Sequence, residues 1–180
     1  LFESTDIIMH GVVNNSSNKL PQLAPDGNYC PDDALELTIT YSSDWNLVGL
    51  PLQVDSVSYT ILFPESIEGT LYSFDDGYSL ETSLIQGEGY WLRFNEAGST
   101  TITGVAITEL TISLNEGWNL ISGISTPFDI SDIQDPDGII ISGTVYGFTS
   151  GGYSNTENIE PGKGYWIRAN NSGNIVLTSE

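Results

Sequence analysis

The chain has 180 residues and 19.5 kDa, and 24 aspartates and glutamates against 4 lysines and arginines give it a formal net charge of −20. That balance argues against a nucleic-acid binder and against docking on anionic lipid, since either surface would meet almost no counter-charge. Charged residues are still only 16% of the chain, with 39% hydrophobic and 11% aromatic, which argues against an acidic disordered tail.

The chain begins at Leu1 rather than Met, as in a mature product or a piece of a longer protein, and no apolar run reaches the roughly 18 residues of a membrane-spanning helix. The first 34 residues have no counterpart further on. Within them Asp6–Val13 reads as a strand, with Ile7, Ile8, Met9, Val12 and Val13 as its apolar side chains. A strand without a local partner must satisfy its backbone at a sheet edge. That edge belongs either to the same chain or to a neighbouring copy, and the second case is strand donation. Next comes an acidic turn region, Asp26-Gly27-Asn28 to Asp32-Asp33, which contains Cys30, the single cysteine.

Leu35, Leu37, Ile39 and Tyr41 then alternate with Glu36, Thr38 and Thr40, the period of a half-buried strand. Ser43-Asp44 is a turn before Trp45-Asn46-Leu47-Val48. Val57–Phe63 is β-branched and aromatic and is expected to form a strand. Asp75-Asp76-Gly77 is a hairpin turn between Tyr72-Ser73-Phe74 and Tyr78. Gly87-Glu88-Gly89 leads into Tyr90-Trp91-Leu92-Arg93. Its glycines imply positive φ or close backbone approach. Tyr90, Leu92 and Phe94 share one face, and Trp91 and Arg93 share the other. An arginine there is placed for a carboxylate or an aromatic ring.

The same blocks then recur. Leu110, Ile112 and Leu114 alternate as before, Glu116-Gly117 precedes Trp118-Asn119-Leu120-Ile121, and the offset from the first copy is 73 residues. A short helical turn is expected near Asp129–Gln134, where Ile130 and Ile133 are three apart. The run Ile139-Ile140-Ile141 within Gly138–Val145 is expected to be a strand covered on both faces. Ser150-Gly151-Gly152 is a second hairpin turn, between Tyr146-Gly147-Phe148 and Tyr153. Gly162-Lys163-Gly164 leads into Tyr165-Trp166-Ile167-Arg168, now at an offset of 75. The expected fold is all-β: two homologous, small, β-sandwich-like repeats in tandem, residues 35–106 and 107–180, of five or six short strands each, preceded by residues 1–34 with one extra strand. Trp45, Trp91, Trp118 and Trp166 sit inside strand patterns, so all four are expected in the core.

Trp-Asn-Leu-(Val/Ile) followed about forty residues later by Gly-(Glu/Lys)-Gly-Tyr-Trp-(Leu/Ile)-Arg resembles a GWNLIS…GKGYWI repeat of large secreted and cell-surface proteins of bacteria and archaea. Gly117 to Ser122 and Gly162 to Ile167 follow that pattern almost letter for letter, while the first copy departs at Asp44, Val48 and Glu88. The resemblance covers about 145 residues and implies an extracellular or cell-surface, β-rich module. It carries no catalytic or binding residue.

Candidate sites are few. Asp26 with Asp32, and Asp135 with Asp137, are candidate calcium ligands, since Ca²⁺ takes six to eight oxygens from such loops. The alternative is that these are solvated acidic turns. No other cofactor is suggested. Tyr78 and Tyr153, just after turns, are the aromatics best placed to stack on a sugar. His10 is the only histidine, so no histidine metal cluster forms, and the chain is read as a non-enzyme. The expected function is an extracellular structural or adhesive module, part of a cell surface, filament or matrix. Its expected partners are identical subunits or neighbouring repeats, joined through strand contacts. The competing expectation is a carbohydrate-binding module of a secreted polysaccharide-degrading protein.

Overall fold

The computed structural model describes residues 34–179. The fold is all-β, as the alternation of apolar residues predicts. Strand β1 (Ala34–Tyr41) pairs antiparallel with β7 (Gly98–Ala106), from Ala34 opposite Val105 to Tyr41 opposite Gly98, and β3 (Leu52–Gln53) lies on the far edge of β7. Ile39 and Tyr41 are buried, Leu35 and Leu37 half-buried, and Glu36, Thr38 and Thr40 exposed. A four-stranded sheet in the order β2-β6-β4-β5 completes this half: β2 (Asp44–Gly49), β6 (Gly89–Phe94), β4 (Tyr72–Phe74) and β5 (Tyr78–Leu80).

The second half is built alike. Strand β8 (Glu109–Leu114) pairs with β15 (Gly173–Thr178), as β1 does with β7. Its four-stranded sheet has the order β9-β14-β11-β12, formed by β9 (Gly117–Ser122), β14 (Gly164–Ala169), β11 (Tyr146–Thr149) and β12 (Gly152–Asn155). A short pair, β10 (Phe128–Asp129) with β13 (Asn158–Ile159), is matched in the first half by a single antiparallel bridge between Ser58 and Ser83. The described residues thus hold seven strands before residue 107 and eight after it, more than the five or six expected, because several span only two or three residues.

Each half has its own core. Tyr90, Leu92 and Phe94 are fully buried against Ile39, Tyr41, Leu62, Phe63 and Leu71, and Tyr165, Ile167 and Ala169 are buried among Ile112, Leu114, Ile124 and Ile175. Burying one such large side chain contributes about 1.5–3 kcal/mol. Both hairpin turns form where expected, with Asp76 at φ 51° and Gly152 at φ 104°.

Two expected strands are absent. Val57–Phe63 is not extended, for Tyr59–Leu62 forms one helical turn. Tyr59 and Leu62, three residues apart, face the core while Val57 and Ile61 are exposed. The Gly69 N–H donates to the Tyr59 hydroxyl at 2.7 Å. Packing on one side of a turn overrides the β propensity of the segment. Gly138–Val145 likewise forms turns rather than a doubly covered strand: Ile139 is buried, Ile140 and Ile141 only half-buried, and the Ile139 and Ile140 N–H groups donate to the Asp135 carboxylate at 2.9 and 2.8 Å. The expected helical turn near Asp129 exists as the 3-10 turn Ile130–Asp132, capped by Asp129 accepting from the Ser131 N–H at 2.8 Å. That donor holds the Asp129 carboxyl below its ordinary value.

The halves meet about a pseudo-twofold axis. Val48 bridges Lys163, and Ile121 bridges Glu88. The Gly49 N–H donates to the Gly162 carbonyl at 3.1 Å, and the Ser122 N–H to the Gly87 carbonyl at 2.9 Å. Adding 73 to the strand position and subtracting 75 from the loop position turns the first contact of each pair into the second, an exchange that a rotation produces and a translation does not. The glycines of the two loops follow from this junction. Gly87 and Gly162 adopt φ of 85° and 75°. A Cβ on Gly89 would lie 2.5 Å from the Ile121 carbonyl oxygen, and one on Gly164 3.0 Å from that of Val48.

Candidate aromatic binding face

Strand periodicity sets what lies on the other side of each four-stranded sheet. With Tyr90, Leu92 and Phe94 committed to the core, Trp91 and Arg93 of β6 point away from it, beside Trp45 of β2. The register sets Trp45 opposite Arg93 and Tyr72 opposite Trp91, and in the second half Trp118 opposite Arg168 and Tyr146 opposite Trp166. Each sheet therefore carries a second, aromatic face.

The Trp-Asn-Leu motif anchors this face. Asn46 accepts from the Ser42 N–H at 2.9 Å and donates to the carbonyls of Ser42 and Asp44 at 2.8 and 3.0 Å. Asn119 repeats this with Asn115 and Gly117, at 2.8, 2.9 and 3.2 Å. Each asparagine locks the turn that presents the preceding tryptophan. The arginines hold the rings: Arg93 lies 5.9 Å from the Trp45 ring centroid and Arg168 5.9 Å from that of Trp118. Arg93 also pairs with Asp44 at 2.7 Å. Gly117 stands where Asp44 does, and among the described residues Arg168 has no carboxylate within ion-pair distance.

The rings build two troughs of about 370 and 420 Å³. One is lined by Trp118, Tyr146, Tyr153 and Trp166 with Phe74. The other is lined by Trp45, Tyr72, Tyr78 and Trp91 with Phe148. Each is thus completed by a phenylalanine from the opposite half. Phe74 meets Trp166 edge-on at 4.8 Å and 76°, and Phe148 meets Trp91 at 4.7 Å and 78°. The other ring pairs match equally well: Trp45–Trp91 and Trp118–Trp166 at 6.2 and 6.3 Å, and Phe74–Tyr78 and Phe148–Tyr153 at 5.3 and 5.2 Å. Beneath the rings Leu47, Leu120 and Trp166 form a small core shared by both halves.

The expectation that all four tryptophans are core residues holds for Trp166 alone, which is 8% exposed. Trp118 is 42% exposed, and Trp45 and Trp91 are half-buried. The face of each sheet opposite its core is lined by aromatics and only partly open to solvent, because Leu47, Leu120 and Trp166 are buried where the two halves meet. Tyr78 and Tyr153 are exposed at 58% and 55% and form trough walls. Burial pushes the Tyr153 hydroxyl up from its ordinary pKa, and the nearby Trp166 indole N–H pulls it back. The two fall short of hydrogen-bond geometry, so among the described residues the buried Trp166 Nε1–H has no partner.

Among the described residues no three histidine, cysteine, aspartate or glutamate side chains gather as a metal site. Asp135 spends both carboxylate oxygens on its own turn, and Asp137 is exposed. Asp26, Asp32, His10 and Cys30, and the segment with Ile7, Ile8, Met9, Val12 and Val13 expected to form a strand, lie outside the described residues.

Sequence reasoning missed Asn46, Asn119, Phe74 and Phe148. The matched Tyr-x-Phe pairs were a usable signal, since they sit at equivalent places in both halves and their alternation puts both rings on one face. Comparison of the chain with protein-family models, with curated proteins and with solved structures finds no match, so the functional reading rests on these paired aromatic troughs.

Proposed function

We propose that this chain is a non-catalytic, extracellular adhesive module that holds a neutral polysaccharide on its aromatic face. The observation that carries this reading is the pair of solvent-open troughs walled by tryptophan and tyrosine. A monomeric domain rarely exposes a contiguous apolar patch without a partner for it. Flat π faces with a negative quadrupole suit a flat ligand whose C–H groups point at the ring. Stacked bases would suit them too, but a net charge of −20 repels a phosphate backbone. A neutral sugar ring satisfies the stacking and is indifferent to the charge. The extracellular setting is supported by the GWNLIS…GKGYWI resemblance.

Co-sedimentation with insoluble cellulose, chitin and β-1,3-glucan tests the reading. The wild-type protein should be retained on at least one of them, with little change between 50 mM and 500 mM salt. The Tyr78→Ala, Tyr153→Ala double variant should lose about tenfold in affinity, equivalent to about 1.4 kcal/mol. Retention on none of the three, or equal retention of the variant, overturns it.

A further inference from the structure

We propose that the module is bivalent, each trough seating its own polysaccharide segment, so that a single chain cross-links two glycan strands. This rests on the polysaccharide reading above and adds to it the stoichiometry and the mechanical role.

The symmetry of the site is the basis. The two troughs are separate cavities of similar size, and the ring contacts in one recur in the other within 0.1 Å for the Phe–Trp, Trp–Trp and Phe–Tyr pairs. Tyr153 lines one trough while its ring packs at 6.3 Å against Trp91 of the other, so it stands as a partition between them. The relation between them is a rotation. A polysaccharide has a reducing and a non-reducing end, and equivalent seats on a twofold axis hold it in opposite directions. A straight strand has only one direction. It can use the favoured contacts of one trough but not of both, which leaves the second trough for another strand or for a distant, folded-back part of the same one. Two seats on one rigid body raise avidity by about 10²–10⁴ without any new contact.

Trp45 lines only one trough and Trp118 only the other, and neither is a fully buried core residue. This allows each seat to be removed in the 180-residue chain, with circular dichroism to check that the β spectrum is kept. Isothermal titration with a soluble oligosaccharide of the polysaccharide retained above should give two ligands per wild-type chain. It should give one per chain for Trp45→Ala and for Trp118→Ala, with affinity within about threefold of wild type, and none for the double variant. Microspheres coated with the same glycan should agglutinate with wild type, while both single variants should bind the beads and leave them dispersed. A wild-type stoichiometry of one, or agglutination that survives in both single variants, overturns bivalency while leaving the polysaccharide reading in place. Failure of the wild type to bind any glycan removes that reading and this inference with it.

Discussion

Gly49 and Ser122 face each other at the pseudo-twofold junction, and the space between them holds one side chain only. A Cβ on Gly49 would lie 2.1 Å from the Ser122 Cβ and 2.7 Å from its Oγ. The two positions are equivalent, so the axis itself forbids a side chain on both. Gly49→Ala should cost about 1–3 kcal/mol through overpacking, read as a lower urea midpoint. Combining Gly49→Ser with Ser122→Gly should restore most of that loss, because the same side chain then enters the same space from the other half. A double variant no more stable than Gly49→Ala would contradict the twofold junction. The Ser122 Oγ is buried with no hydrogen-bond partner among the described residues. Ser122→Ala should therefore raise stability by about 1 kcal/mol.

Asn46 and Asn119 each close a turn with three hydrogen bonds. Asn119 is 9% exposed and Asn46 half-buried. Asn119→Ala should cost about 1–3 kcal/mol by leaving backbone groups unpaired, and Asn46→Ala rather less. Asn119→Asp should be no better, since it aims an anionic oxygen at two carbonyls. The tryptophan emission of Asn119→Ala should shift to the red as Trp118 loses its fixed position.

Asp44 holds φ at 71° where its counterpart Gly117 holds 100°. Asp44→Gly relieves the left-handed backbone but removes the pair with Arg93, whose members are 65% and 47% exposed. An exposed pair is worth under about 1 kcal/mol, so the net change in stability should stay within about 1 kcal/mol of zero. Gly117→Val places a β-branched residue in the same conformation and should cost about 1–2 kcal/mol. Thermal melts distinguish the two outcomes.

The buried tyrosine hydroxyls should set the alkaline limit of stability. Tyr90 is pushed far above the ordinary tyrosine value of 10.0 by burial and then by its hydrogen bond to Glu88. Burial also raises Tyr165, against the pull of the Glu160 N–H that donates to its hydroxyl. A raised folded-state pKa means that the unfolded chain loses its proton first. The contribution is therefore fully present below pH 10 and is lost as pH rises through the folded value. Urea midpoints should fall steadily above pH 10, and Tyr90→Phe should flatten that fall. The same variant should start lower, since the Ile85 N–H then loses its acceptor. A slope unchanged in Tyr90→Phe would assign the alkaline limit to other groups.

Much of this protein was legible in its residue pattern. Leu35 to Tyr41 and Leu110 to Leu114 alternate because one face of each strand is buried. Asp75-Asp76-Gly77 and Ser150-Gly151-Gly152 turn because their conformations suit those residues. Tyr90, Leu92 and Phe94 were separable from Trp91 and Arg93 because a strand has a period of two. All of these are local properties, carried by the chain within a few residues. Val57–Phe63 misled because its β-branched composition was outweighed by Tyr59 and Leu62 packing on one side of a turn. The tertiary structure alone decided that the second face of each sheet is partly buried and partly open, that Phe74 and Phe148 complete each other's troughs, and that Gly49 is bare because Ser122 is not. These facts depend on how the two halves meet across an axis. That meeting joins residues from about thirty to more than a hundred positions apart, such as Glu88 with Ile121 and Val48 with Lys163, and no local periodicity encodes it.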